Sequence, residues 1–294
     1  MNGLFLVDKP TDMTSFGVVA RIRRLTREKC GHSGTLDPLA TGLLPVMVGK
    51  GTKLCELFTA GDKGYIGTLR FGLATDTGDI TGAVVQEEQS AVTQEALEAL
   101  LPRFTGVITQ RPPMYSAIKV DGVPLYRHAR KGKEVEVPLR QVEIYAINLL
   151  SFDEEKQEAV LEVDCSKGTY IRTLFADLAE ALGTVGTMTA LRRTKAGRFS
   201  LEEAIPLEEL MALLEKGEGE THLIPLSDAL AFLPRYEPPA FFAGLLKNGC
   251  AVAVQKLKNV PSELCTVYLD GQLIGLGQQT EKDGETCLKV VTHL

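Results

Sequence analysis

Apolar and polar positions follow two spacings along the first seventy residues, and each change of spacing marks a new element. The run Gly3-Leu4-Phe5-Leu6-Val7, closed by Asp8-Lys9-Pro10, predicts a short buried strand. Val18, Ile22 and Leu25 then recur at helical spacing behind Thr14 or Ser15, either of which can cap a helix. Arg21, Arg23, Arg24 and Arg27 crowd the same helix and make part of it strongly basic. A second apolar run covers Leu43–Val48, and residues 53–60 read as helical. Tyr65–Phe71 alternates, which puts Tyr65, Gly67, Leu69 and Phe71 on one strand face.

Further along, Leu97, Leu100, Leu101 and Phe104 keep helical spacing, with Thr93 as cap. Asp121-Gly122 between two short apolar runs reads as a hairpin, weakened by Pro124. Residues 142–150 and 159–165 read as strands, 171–182 as a helix closed by Gly183, and 207–215 as another helix. The acidic stretch 216–220 is the expected linker. Beyond 235, short β-prone runs alternate with Asn-Gly and Asp-Gly pairs. Strands and helices mix without a regular βαβ repeat. The expected fold class is therefore α+β: a mixed-sheet domain over 1–220 and a small β-rich domain over 235–294.

Composition adds exclusions. No apolar run reaches the length of a membrane-crossing helix and no secretory leader is legible, so a cytoplasmic protein is expected. Six cysteines without a C-x-x-C pair, beside four histidines, predict neither a zinc site nor a disulfide framework. The net charge of −6 hides a strong asymmetry: segments 1–72, 103–140 and 164–199 together carry +12. A basic groove on an otherwise acidic body is the expected arrangement, and nucleic acid is the partner such a groove fits.

The chemistry concentrates in Gly31-His32-Ser33-Gly34-Thr35-Leu36-Asp37-Pro38-Leu39-Ala40-Thr41-Gly42-Leu43-Leu44-Pro45. Three glycines among small polar residues let a ligand approach the backbone, and loops of this kind carry function on a rigid scaffold. By spacing alone, Asp37-Pro38 is first of all a turn. The whole stretch, however, resembles the catalytic motif of the TruB-type tRNA pseudouridine synthase family. The resemblance extends to Asn2–Pro10, Gly64-Tyr65, Thr75–Asp79, Pro113–Ala117 with Lys119, Cys165–Thr173 and Leu191–Arg193, in the family's order.

The resemblance implies an enzyme that cleaves the C1′–N1 bond of a uridine, turns the base and rejoins it through C5, without metal or organic cofactor. The uridine implied is position 55 in the T arm of tRNA. Asp37 matches the essential aspartate, as nucleophile or as base, and Arg172 the arginine paired with it. Tyr65 matches a tyrosine on the target base. Tyr170 and Leu191 resemble residues lining the uracil pocket, Lys9 a pocket-side lysine and His32 a histidine entering the RNA loop. The segment 111–133, with Arg111, Lys119, Arg127, Arg130, Lys131, Lys133, Tyr115 and Tyr126, is expected to clamp RNA around the flipped base. Residues 235–294, with Lys247-Asn248-Gly249, resemble the PUA RNA-binding domain, and a monomer is expected. A tRNA-folding chaperone and a synthase for another RNA stay open as alternatives; a glycosidase is weaker, since only one carboxylate is marked.

Overall fold

The apolar run at the N-terminus forms β1 (Gly3–Lys9), which turns into helix α1 (Ser15–Thr26). A computed structural model describes residues 1–294 other than 117–118, 121, 126–127, 129–134, 136 and 283, and other than the side chains of 119, 120 and 124. Thr14 caps α1 by accepting a hydrogen bond from the Gly17 amide at 2.9 Å, and Arg27 closes it in the left-handed region at φ 58°. The remaining main strands are β2 (Thr41–Val48), β3 (Lys63–Phe71), β4 (Gly106–Gln110), β5 (Arg140–Asp153), β6 (Glu158–Cys165), β7 (Gly186–Ala196) and β8 (Ile205–Pro206). They lie in the order β8-β1-β2-β7-β3-β6-β5-β4. β7 runs parallel to β2 and β8 parallel to β1, while the other neighbours are antiparallel, so the sheet is mixed as expected.

Helix α2 (Ile171–Ala181) packs on this sheet through Leu174, Phe175 and Leu178, all fully buried. Gly67 permits the close approach, because a Cβ there would stand 2.9 Å from the Phe175 ring. α1 meets α3 (Leu207–Lys216), and Val18, Ile22 and Leu210 join the same core. Gly42 sits at φ 97° where β2 meets β7, and any side chain there would collide with the Arg193 backbone. One glycine therefore fixes the register that brings Arg193 beside the segment after Asp37.

The chain does not leave the large sheet at 216–220. Ile224–Pro225 returns to pair with Gly3 and Leu4, and a short helix Leu226–Ala229 packs behind it. The exit comes after that helix, since the buried pair Leu226 and Leu230 belongs with the β1 side of the core. The acidic stretch instead ends α3 and enters a tight 3-10 turn, Gly219–His222, with Gly219 buried. The hairpin expected around 121–122 pairs Lys119 with Pro124 and Val120 with Val123; Asp121 lies outside the described residues.

The C-terminal part contains β9 (Arg235–Tyr236), helix α4 (Ala240–Lys247), β10 (Val252–Ala253), β11 (Cys265–Leu269), β12 (Gln272–Lys282) and β13 (Glu285–His293). These strands form a five-stranded sheet in the order β9-β11-β12-β13-β10 around Leu246, Val267 and Leu288. Asp270 and Gly271 both take positive φ in the β11–β12 turn, as an Asp-Gly hairpin requires. Leu276 packs into a cluster with Phe58, Phe199 and Leu230, and Lys53 Nζ donates to the His293 carbonyl at 2.6 Å. The small sheet is thereby seated on the large one. Among the described residues no helix is long and apolar enough to cross a membrane.

Candidate active site

The loop carrying Asp37 is held by side chains from three elements. Ser15, at the start of α1, accepts from the Leu36 amide at 2.8 Å and donates to the Leu36 carbonyl at 3.0 Å. Lys9, at the end of β1, is fully buried and donates to the carbonyls of Pro10, Met13 and Pro38 at 2.7, 2.6 and 3.3 Å. Arg193 on β7 donates to Leu43 and Gly34 carbonyls at 2.7 and 3.2 Å, after and before the aspartate. These donors leave the loop little freedom, which is what a positioned reactive group requires.

Arg172, in the first turn of α2, approaches the Asp37 carboxylate at 3.0 Å. Its other hydrogen bonds go to the carbonyls of Thr77 at 2.7 Å and Tyr115 at 2.8 Å. A guanidinium spends planar, directional donors, so two fixed carbonyls set the angle at which the third contact meets the carboxylate. Asp37 remains about one-third exposed while Arg172 is buried. Burial pushes the Asp37 carboxyl above its ordinary range, Arg172 pulls it back, Asp79 pushes it up again, and Lys9 opposes.

A cavity of about 500 Å³ opens in front of this pair, lined by Asp37, Tyr65, Tyr170, Arg172 and Leu191 among others. Five of the seven residues expected at the site therefore meet in one place. Leu191 is buried against the β3 face at Gly67, and Tyr65 rises from β3 beside it. Burial raises the Tyr65 phenol, while the charge of Arg193 lowers it. The five cations lining the cavity, Lys63, Arg140, Lys167, Arg172 and Arg193, come one or more from each of the three basic segments. The folded chain converts a charge asymmetry along the sequence into a positive chamber around one carboxylate.

Two residues do not line the chamber. Lys9 lies beneath the loop with all three ammonium protons on backbone carbonyls, and burial brings it down to about 8. His32 sits on the short strand Cys30–His32 beside β2. Burial lowers its pKa, and its Nδ1 is buried without a partner. Of the segment 111–133, Arg111 is exposed and its carbonyl accepts from Thr173, and Tyr115 holds Arg172. Tyr126, Arg127, Arg130, Lys131, Lys133 and the Lys119 side chain lie outside the described residues.

The structure adds residues that sequence reasoning missed. Gln110 is buried; its side-chain carbonyl accepts from the Tyr170 amide at 3.0 Å and its amide donates to the Tyr170 carbonyl at 3.3 Å. It thus fixes the backbone of Tyr170, the residue from which α2 starts, two positions before Arg172. Asp79 is nearly buried and accepts from Thr77 and Thr81. Asp79 and Arg193 stand in stretches marked by the resemblance, whereas nothing in the sequence marks Gln110. Among the described residues no cluster of three or more His, Cys, Asp or Glu side chains could hold a metal ion.

Comparison with known proteins adds an independent line. Residues 23–171 match the model of the TruB family pseudouridylate synthase N-terminal domain, and residues 172–231 that of the tRNA pseudouridylate synthase B C-terminal domain. The chain is 44% identical over 280 residues to the tRNA pseudouridine synthase B of Aromatoleum aromaticum, covering 95% of this chain and 89% of the relative. It is 42% identical over 295 residues to that of Clostridium tetani, covering 99% and 100%. Among solved structures, a Cbf5–Nop10–Gar1 complex contains a chain of similar fold, with TM-score 0.74, 26% identity, and coverage of 98% of this chain and 83% of that one.

Because Arg172 is the strongest influence holding the Asp37 carboxyl down, Arg172→Met is expected to raise its pKa further. Carboxyl-carbon NMR titration of Asp37 in both proteins checks this; an unchanged or lower value in the variant would contradict the pairing.

Proposed function

This chain belongs to the TruB family of tRNA pseudouridine synthases, it isomerises uridine to pseudouridine in tRNA, and on that premise we propose that its target is uridine 55 in the T loop and that Asp37 carries the reaction. The observation that carries the assignment is the Asp37 carboxylate held at 3.0 Å by Arg172 in the chamber lined by Tyr65 and Leu191. The C1′–N1 bond breaks, the uracil turns in place, C5 bonds to C1′, the C5 proton leaves, and N1 takes up a proton. Asp37 acts at the base or at the sugar while ionised, as nucleophile or as base. Arg172 keeps it ionised and aimed. Leu191 and Tyr65 hold the ring between an apolar and an aromatic surface, and Tyr65 assists the loss of the C5 proton. Tyr170 lines the wall beside the base.

The uridine reaches the chamber by flipping out of the T loop, a step costing a few kcal/mol. Lys9 supports the catalytic loop from below, and His32 enters the RNA where the base has left. The segment 111–133 clamps the strand. The catalytic part runs through the helix Leu226–Ala229, and residues 235–294 form a PUA-like domain that adds affinity without chemistry. The enzyme works as a cytoplasmic monomer and needs no cofactor.

Tritium release from C5-labelled uridine in an unmodified T-arm transcript tests the reaction. The wild type is expected to release it, and Asp37→Asn to bind the RNA yet release it at least about a thousandfold more slowly. Binding by both proteins with release by neither would favour a chaperone or a different RNA. Hydrogen exchange tests the clamp: segment 111–133 and the Lys247–Gly249 turn are expected to gain protection with tRNA, and equal exchange with and without it would reject both roles.

A further inference from the structure

Beyond the Asp37–Arg172 pair, the chamber holds two more buried cations, one of which also steadies the Asp37 loop. Arg193 is 1% exposed and Lys63 6% exposed. They converge on Gly34, where a Cβ would lie 3.5 Å from Arg193 Nη1 and 3.7 Å from Lys63 Cε. Lys63 donates to the carbonyls of Thr59 and Gly61, and Arg193 to those of Leu43 and Gly34. Carbonyls satisfy hydrogen bonds, yet they carry no net charge.

Among the described residues neither cation has a carboxylate within ion-pair distance. Asp62 is exposed and accepts from the Tyr145 hydroxyl at 3.0 Å. The Cys165 thiol beside Lys63 is pushed up to about 11 and stays neutral. Asp37 is engaged by Arg172. Two adjacent buried cations without a counter-ion are costly, and an anion entering the chamber relieves that cost. The Lys63 ammonium is brought down to about 8, by burial first and then by Arg193, the signature of a charge that lacks its partner. Exposed Lys167 adds a third positive group to the lining.

We propose that Lys63 and Arg193, with Lys167, form an anion subsite that takes one phosphodiester of the RNA strand adjoining the target uridine. The inference rests on the reading of this chamber as the seat of that uridine. Gly34 belongs to the subsite, because a side chain there would stand between the two cations and the strand.

The test uses T-arm RNAs in which the linkage 5′ or 3′ to the uridine is a neutral methylphosphonate. Binding is measured for the wild type, Lys63→Gln, Lys63→Arg and Lys167→Gln. One of the two neutral linkages is expected to weaken wild-type binding about tenfold or more, the size of a charge-assisted contact. Lys63→Gln should bind the all-phosphate RNA more weakly by a similar factor and lose its sensitivity to that linkage. Lys63→Arg should regain the sensitivity, and Lys167→Gln, altered at an exposed position, should lose part of it. Wild-type insensitivity at both linkages overturns the subsite, even if inorganic phosphate alone raises the protein's Tm. Equal sensitivity of wild type, Lys63→Gln and Lys167→Gln overturns it as well. A protein that releases no C5 tritium from the unmodified T arm fails the functional reading, whereas one that releases it and ignores both neutral linkages fails only the subsite.

Discussion

A carboxylate that must stay ionised inside a partly buried chamber constrains the whole catalytic part of this protein. Burial alone would drive Asp37 toward its neutral form. Arg172 offsets that drive through a single contact at 3.0 Å, and the carbonyls of Thr77 and Tyr115 fix the rest of its guanidinium. Gln110 in turn fixes the backbone at Tyr170, from which the helix carrying Arg172 departs. From the other side, Lys9, Ser15 and Arg193 hold the loop. β1, α1, β4, β7 and α2 each contribute one polar side chain to a single reactive pair, so the mixed sheet acts as a frame for that geometry.

Much of this frame was legible in the sequence, for identifiable physical reasons. Alternation over residues 65–71 and helical spacing over 171–182 are imposed by burial on one face, and both elements appear where the pattern puts them. The glycine-rich loop marked the site because close packing against Arg193 leaves no room for a Cβ at Gly42. What stayed hidden is where polar side chains point. Lys9 and Tyr65 both end up beside the loop, yet one turns beneath it and the other into the chamber. Strand position alone does not separate the two. Gln110 carries no signal, since a glutamine closing a strand is ordinary until the fold brings a helix start beside it. The acidic stretch 216–220 misled for a related reason: composition reports exposure, while the return of Ile224–Pro225 to β1 depends on partners far away in sequence.

The charge distribution joins sequence to function most directly. A chain of net charge −6 keeps most of its acids outside three segments, and those segments supply every cation of the chamber. Such an arrangement draws a polyanion to one place on a body whose remaining surface repels it. The chamber holds a carboxylate already paired and two cations, Lys63 and Arg193, without a carboxylate partner among the described residues. The C-terminal sheet is seated on the large one through Leu276 and Lys53.

The central claim, that the Asp37–Arg172 chamber receives the target uracil, is tested most directly by a crystal structure of the enzyme with a T-arm RNA carrying 5-fluorouridine at position 55, whose C5–F bond blocks the final proton loss. The account predicts the flipped fluorinated base between Tyr65 and Leu191, with Asp37 bonded to it or to its ribose or within hydrogen-bond reach. A base left stacked in the T loop, or lodged away from Asp37 with the carboxylate still facing solvent, would contradict it.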